Sequence, residues 1–308
     1  MGIKRLNKFI KVNCSDSLST VKLSDLRNKT IVIDTSIYLY RFISDGSLIE
    51  NIYLMVSLFK KYNITPIFVF DGKPPLEKQN ILLERSIKKA EAKNKYEIYK
   101  KQMENTTDIN ERHELDTEMT KLKKKFIYIK NKQVTAVKEL LDAMGVCYFK
   151  AEGEADNLCA WLTIKKKAYA CLSEDMDMFV YGCPRILRYF SIHKEKMIMY
   201  DTKQILKQLQ LKLSEFRELC VLSGSDYNND INNKTIYYYY SLFKKYRENN
   251  DGCFYDYLYD HDENINYTEL LRLCDMFNIN HLNDIKLFED NNKEILNKYI
   301  KNNYKSEP

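Results

Sequence analysis

Residues 150–182 read KAEGEADNLCAWLTIKKKAYACLSEDMDMFVYG and carry two acidic clusters: Glu152, Glu154 and Asp156, then Glu174, Asp175 and Asp177. Carboxylates gathered at one place repel each other strongly unless a cation sits among them. Oxygen ligands alone suit Mg²⁺ or Mn²⁺ rather than zinc. Spacing decides which acids can meet. Residues two apart share one face of a strand but point nearly opposite ways on a helix. Asp175 and Asp177 therefore converge if they continue the short apolar strand 168–172 or leave its tip. Glu152 and Glu154 converge only at a helix entry, before regular helix begins; Glu152 and Asp156 share a helical face instead. A lone E-x-E or D-x-D is usually a solvated surface, so a metal site needs acids from other strand ends as well.

Two further apolar runs supply them. TIVID (30–34) and ITPIFVFD (64–71) each end in an aspartate, the pattern of a buried parallel strand with a carboxylate at its tip. LSGSDY adds Asp226 on a small-residue turn. In an open parallel sheet, ligands bind outside the carboxyl ends of the strands. The candidate metal ligands are thus Asp34, Asp71, Glu152, Glu154, Asp175, Asp177 and Asp226. Seven carboxylates call for divalent metal, with two ions the expected number. Two ions about 3.5–4 Å apart activate a water and stabilise the leaving oxygen of a phosphodiester. Positioned cations such as Lys78 and Arg85 help to balance the negative charge of that transition state. No Walker phosphate loop is present, which disfavours an NTPase. No Ser/His/Asp or Cys/His arrangement suggests itself. His113 and His193 are read as ordinary histidines, and the four histidines lack metal spacing.

These acids need a sheet flanked by helices to position them. The fold expected is α/β, with a central, mostly parallel sheet. Helices are read at 36–42, 49–62, 133–144, 213–222 and 235–246, and RILRYFSI and KMIMYD are read as a hairpin. Two charged helices, 84–103 and 112–132, are too polar all round to be core and are separated by the polar break 105–110. The chain has 308 residues and a net charge of +6, but residues 78–138 hold 16 Lys and Arg against 9 Asp and Glu, leaving the rest near −1. Basicity concentrated in one segment is what a phosphate-tracking surface requires. The plainer reading is a solvated helix pair. The eight cysteines include no C-x-x-C pair and are read as buried, reduced thiols. Cys147, Cys159, Cys171 and Cys183 recur every twelve residues, to which no meaning attaches. No apolar run approaches the ~20 residues of a membrane span, and no leader is read at the N-terminus. Helical fragments are expected at 267–277 and 292–299.

Taken together in order, MGIK, IVIDTSIYLYRF, VFDGKPP, EGEAD, SEDMD and LSGSDY resemble the flap endonucleases of the FEN/XPG type, structure-specific 5′ nucleases. The resemblance covers roughly residues 1–246. It implies a PIN-like 5′ nuclease core with a two-metal site that cuts DNA where single and double strands join. Matched motif to motif, the seven acids above become the metal ligands, Mg²⁺ the cofactor with Mn²⁺ able to substitute, and Glu174 a structural residue. Lys78 and Arg85 fall on the catalytic basic pair. Residues 78–132 become a protruding helical arch that a 5′ single strand passes through. Tyr40 falls where an aromatic ring stacks on a base, Gly2 where a side chain would not fit beside the substrate, and Lys234 where a duplex phosphate is touched. Residues 226–246 stand in for the helix-hairpin-helix, with NNDINNKTIYYYY lacking its glycine-rich turn, and 247–308 form a helical C-terminal part. The connection 42–49 is shorter than the loop the family often carries there. The C-terminal KNNYKSEP holds no sliding-clamp motif. The expected partner is junction-bearing DNA, the expected state a monomer, and the expected place an intracellular site of DNA metabolism, nuclear or cytoplasmic. The competing readings are a 5′→3′ exonuclease or bubble or junction cutter of the same superfamily, a non-catalytic nucleic-acid scaffold, and a PIN-type RNase.

Overall fold

The computed structural model describes residues 2–225, 234–249, 254–261 and 265–279. The chain opens with α1 (Leu6–Asn13) and β1 (Leu18–Lys22), neither of which was expected from the sequence. Then come β2 (Thr30–Asp34), α2 (Thr35–Ser44), α3 (Leu48–Lys61) and β3 (Thr65–Phe70). The charged segment forms α4 (Gln79–Asn105) and α5 (Ile109–Lys123). After α6 (Asn131–Ala143) follow β4 (Cys147–Lys150), α7 (Ala155–Ile164), β5 (Ala170–Leu172) and the short α8 (Asp177–Tyr181). β6 (Arg185–Ser191) and β7 (Lys196–Asp201) are the expected hairpin. The rest is helical: α9 (Thr202–Leu209), α10 (Leu213–Leu222), α11 (Ile236–Asn249), α12 (Phe254–His261) and α13 (Tyr267–Met276). The fragment expected at 292–299 lies outside the described residues.

The seven strands form one sheet in the order β1-β7-β6-β5-β2-β3-β4. Pairing is parallel from β6 through β5, β2 and β3 to β4, and antiparallel where β7 meets β6 and β1. Successive side chains of a strand face opposite ways, and each face of this sheet is covered. Val32, Ile67, Val69, Cys171 and Ile186 pack under α1 and α7–α13. Ile31, Ile33, Phe68, Phe70, Ala170 and Leu172 pack under α2, α3 and α6. Burial on both faces explains why β2 and β3 read as unbroken apolar runs. The seven described cysteines are unpaired, and six of them are buried. No helix among the described residues is long and apolar enough to cross a membrane.

The chain runs one way across the sheet from β2 to β3 to β4 and the other way from β5 to β6. The order therefore reverses between β2 and β5, and a crevice opens there at the carboxyl ends. Residues 34–35, 71–78 and 173–177 leave the sheet at that edge.

α4 and α5 differ in kind. The 27 residues of α4 span about 40 Å at 1.5 Å per residue, yet Ala92 is its one buried side chain. Met119 and Leu122 are buried on α5, and Tyr96 meets Phe126 edge-on at 5.4 Å. The second charged helix ends at Lys123, not at 132 as its composition suggested. The Gln133 side chain accepts a hydrogen bond from the Lys130 N–H at 2.9 Å and starts α6 afresh, which separates 124–130 from both helices.

Candidate active site

Asp34 ends β2 and is only 4% exposed. Its Oδ2 accepts a hydrogen bond from the Ser173 hydroxyl at 3.0 Å, and Ser173 Oγ in turn accepts from the Asp175 N–H at 3.0 Å. One buried serine thus ties the tip of β2 to the loop after β5. Asp175 Oδ1 accepts from the Asp177 N–H at 3.1 Å, which folds the loop into the first turn of α8. Asp177 is wholly buried. The two acids leave the strand tip together, one of the two arrangements their spacing allowed.

Asp71 follows β3, one strand over. Its Oδ1 accepts the Ala155 N–H at 2.8 Å, and its Oδ2 accepts from Ser36 Oγ. A carboxylate at a helix N-terminus meets unsatisfied N–H groups and the positive end of the dipole, so Asp71 fixes where α7 begins. Glu154 is the N-cap residue of α7 in extended conformation, and Glu152 precedes it on an exposed turn. The two glutamates thus lie at a helix entry. The alternative, Glu152 and Asp156 on one helical face, does not occur, because Glu152 lies outside α7. The turn is pressed against β3. Gly72 N–H donates to the Gly153 carbonyl at 2.6 Å, and Lys73 N–H to the Glu152 carbonyl at 3.0 Å. A Cβ on Gly72 would run into the Ala151 and Glu152 carbonyl oxygens, so glycine is required there.

Burial and neighbouring charge act together on these acids. Burial, then Asp71 and Asp175, push the Asp34 carboxyl up to about 8, against the pull of the Ser173 hydroxyl. Asp156 lies in the first turn of α7 and is 9% exposed. It is pushed well above the usual range by burial and by Asp34, Asp175 and Asp177, and is drawn back by Lys78. It therefore senses the same cluster, although its sequence pattern pointed to a helical face. Among the described residues no three acids have closed on a single ligating point. Asp226 lies outside the described residues.

Cations stand at the edge of the acids. Lys78, 5% exposed, reaches Glu154 with its Nζ 2.8 Å from Oε2. It is the residue before α4, and Arg85 lies two turns further along the same face. Lys89, one turn beyond, is a residue that composition did not single out. Its Nζ donates to the Ile127 carbonyl at 3.0 Å and lies 4.9 Å from the Tyr40 ring centre and 5.1 Å from that of Tyr128. Lys89 thereby ties α4 and the segment after α5 to α2. Tyr40 is 41% exposed, while Tyr38 and Phe42 on the same helix are buried, so Tyr40 is not simple packing. Gly2 has φ +71°, and a Cβ there would strike the carboxylates of Asp175 and Asp177. Lys234 belongs to another region. It precedes α11, which packs on α1 and α10, and its ammonium lies 4.7 Å over the Tyr238 ring. Glu174 faces away from its neighbouring acids, accepting the Tyr189 N–H at 2.6 Å and meeting Arg188.

Comparison with known proteins places this geometry. Residues 1–92 match the XPG N-terminal domain, and residues 145–226 match the XPG I-region. Flap endonuclease 1 of Methanococcus aeolicus is 31% identical over 235 residues, 71% of this chain and 69% of that protein. The chain belongs to the flap endonuclease/XPG family. Flap endonuclease 1 of Lodderomyces elongisporus is likewise 31% identical over 265 residues, 80% of this chain and 66% of that protein. The chain thus spans about two thirds of the length of the relatives it matches. The catalytic core of Rad2 in complex with DNA substrate superposes with a TM-score of 0.61 at 20% identity, covering 97% of this chain and 95% of that one. At that identity the likeness establishes the fold, a 5′ nuclease core. The two family matches flank residues 93–144, which hold the second half of α4 and all of α5 and α6.

Proposed function

We propose that the chain is a Mg²⁺-dependent, structure-specific 5′ nuclease. It hydrolyses DNA phosphodiesters at 5′ flaps or other junctions of single and double strand, in replication, repair or recombination. The observation that carries this reading is the placing of Asp34, Asp71, Asp175 and Asp177 around the switch point of the sheet, with Asp34 close enough to feel the charges of Asp71 and Asp175, beside a cationic helix face. The donors are all oxygen, and Asp34 is pushed up to about 8 first by burial and then by the like charges of Asp71 and Asp175. Both features fit divalent cations. Asp34, Asp71, Glu152, Glu154, Asp175 and Asp177, with Asp226, would hold two Mg²⁺ ions or Mn²⁺ in their place. Bound there, the ions supply an activated water and charge to meet the leaving oxygen.

The remaining roles fall to the chain's own groups. Glu154 holds Lys78 in place before substrate arrives, so its charge costs little ordering when negative charge grows on the phosphate. Arg85 adds a second cation on the same face. The exposed ring of Tyr40 offers a stacking surface for an unpaired base, and stacking tolerates any sequence. Gly2 brings bare backbone next to the acids, leaving room for a phosphate. We assign 78–132 as an arch over a single strand, 226–246 with Lys234 as a shortened duplex contact, and 247–308 as an extension to the 1–246 core. The enzyme acts as a monomer wherever the cell processes DNA. The names of the relatives, and the DNA held by the solved Rad2 core, support this reading.

Substrate choice is the test. A 5′-labelled flap duplex, a blunt duplex and a single strand are incubated with protein and Mg²⁺. Cutting near the flap base, with the other two largely intact, is expected. Equal degradation of all three would replace the flap reading with a 5′→3′ exonuclease. Tight flap binding without cutting in Mg²⁺ or Mn²⁺ would leave a scaffold.

A further inference from the structure

Arg188 lies on β6, 6% exposed, and no element of the reaction described above uses it. Its guanidinium reaches two parts of the molecule, the loop after β5 and α1. Nη2 donates to the Glu174 carbonyl at 2.8 Å, and Nε lies 3.4 Å from the Glu174 carboxylate. Nη1 reaches Met176 Sδ and donates to Asn7 Oδ1 on α1 at 2.9 Å. The Asn7 amide is held from two further sides. Its Oδ1 accepts from Tyr200 OH at 2.9 Å, and its Nδ2 donates to Tyr189 OH at 2.7 Å. Tyr189 closes the ring, with its N–H on Glu174 at 2.6 Å and its backbone at φ +58°, where the β6–β7 register shifts. Glu174 and Met176 alternate with Asp175 and Asp177. The outward half of the loop is thus gripped by Arg188, while the inward half carries the acids. α1 is gripped by the same guanidinium, and the arm before it lays Gly2 on those two carboxylates.

We infer that Arg188 is a positioning residue. Through Glu174 and Met176 it sets where Asp175 and Asp177 stand, and through Asn7 it sets the N-terminal arm that covers them. The assignment rests on the nuclease reading above. A planar fork of five donors serves these partners at once, which a lysine ammonium on a flexible stem cannot do. Residues that orient metal ligands from outside typically change metal affinity or activity by about 10–100-fold when removed.

The test compares the full-length wild type with Arg188→Met, Arg188→Lys and Asn7→Ala, each at a temperature where circular dichroism finds it folded. Mn²⁺ binding without DNA is followed by the loss of the free-ion electron paramagnetic resonance signal, and kcat and KM are measured on a flap. Folded Arg188→Met should bind Mn²⁺ about tenfold or more weakly and lose kcat in proportion, with KM for DNA raised as well because the arm loses its hold. Arg188→Lys should recover little of either, and it serves in place of Arg188→Met should the latter fail to fold. Asn7→Ala frees the arm and spares the loop, so KM should rise while Mn²⁺ affinity stays at the wild-type level. A folded Arg188 variant with wild-type Mn²⁺ affinity and kcat, whatever its melting temperature, would overturn the assignment. A wild type that neither binds Mn²⁺ nor cuts would overturn the nuclease reading itself, a different outcome from a working nuclease indifferent to Arg188.

Discussion

The acid-bearing strand tips and the charged pair α4–α5 are held in opposite ways. The carboxylates of Asp34, Asp71 and Asp175 each accept hydrogen bonds from serine hydroxyls or backbone N–H groups, and Asp177 is wholly buried with its own N–H on Asp175. Their strands are buried on both faces. The helix pair rests on Ala92, Met119, Leu122 and one edge-on aromatic contact, and presents Leu83, Ile87, Ile98 and Ile109 to solvent. Local stability follows buried apolar contact, so the acids are fixed by the global fold while the basic helices are free to yield locally. Carboxylates that repel each other need a rigid frame. Cations that follow a flexible strand do not.

Lys78 and Arg85 sharpen this contrast, because they share one face of one helix but stand at different distances from the core. Lys78→Ala removes the partner of a largely buried carboxylate. It should cost stability toward the lower end of about 3–5 kcal/mol, together with a kcat loss on the order of 10²-fold. Arg85→Ala should give a comparable loss of kcat with little change in melting temperature. Equal destabilisation by the two would break the comparison. Chemical denaturation and single-turnover cleavage read both quantities.

Gly72→Ala tests the rigid side. The added methyl meets two carbonyl oxygens with no room to move, and overpacking of this kind costs about 1–3 kcal/mol. Because the strain falls between β3 and the 151–153 turn, cleavage should fall as well, even in the folded fraction. Wild-type melting and activity would mean that this contact is looser than the acids require.

The pH dependence of metal-free stability follows from Asp34. Its folded value, about 8, lies above its ordinary 3.8. Between those limits the folded state keeps a proton that the unfolded chain has released. Asp34's contribution to stability is therefore full below pH 4 and is lost as pH rises towards and through 8. Asp156 pushes the same way. In excess chelator, the melting temperature of Asp34→Asn should fall less steeply from pH 5 to 8.5 and should exceed the wild type at pH 8. Parallel curves would remove the electrostatic half of the account.

The smallest effect belongs to the helix pair. Leu122→Ala should barely move global melting, whereas a core change of the same chemistry, Leu172→Ala, should cost about 2–5 kcal/mol. The expected signature of Leu122→Ala is a raised KM for flap DNA with little change in kcat.

Much of this site was legible because the signal was local. An apolar run ending in aspartate identifies both a buried strand and a tip, and β2 and β3 lie where TIVID and ITPIFVFD put them. The spacing of the acids in 150–182 added Glu152 and Glu154 before α7 and Asp175 and Asp177 after β5. What escaped depends on distant contacts. β1 buries only Val21 on an edge strand, so its alternation is nearly silent, and α1 was overlooked behind MGIK. Lys89 is one lysine among many until α2 brings Tyr40 beneath it. Asn7 and Arg188 meet across 181 positions, with no periodicity linking them. The second charged helix reads as longer than it is because Lys-rich sequence looks helical until the Gln133 side chain starts α6 anew.

The most direct measurement is the rate of cutting of a 5′-labelled flap as Mg²⁺ is titrated from zero, for wild type and for Asp175→Asn. The account predicts no cutting without Mg²⁺, saturable cutting by the wild type, and a loss on the order of 10²–10³-fold in Asp175→Asn at every Mg²⁺ concentration. Cutting that persists in chelator, or an Asp175→Asn protein as fast as the wild type, would contradict it.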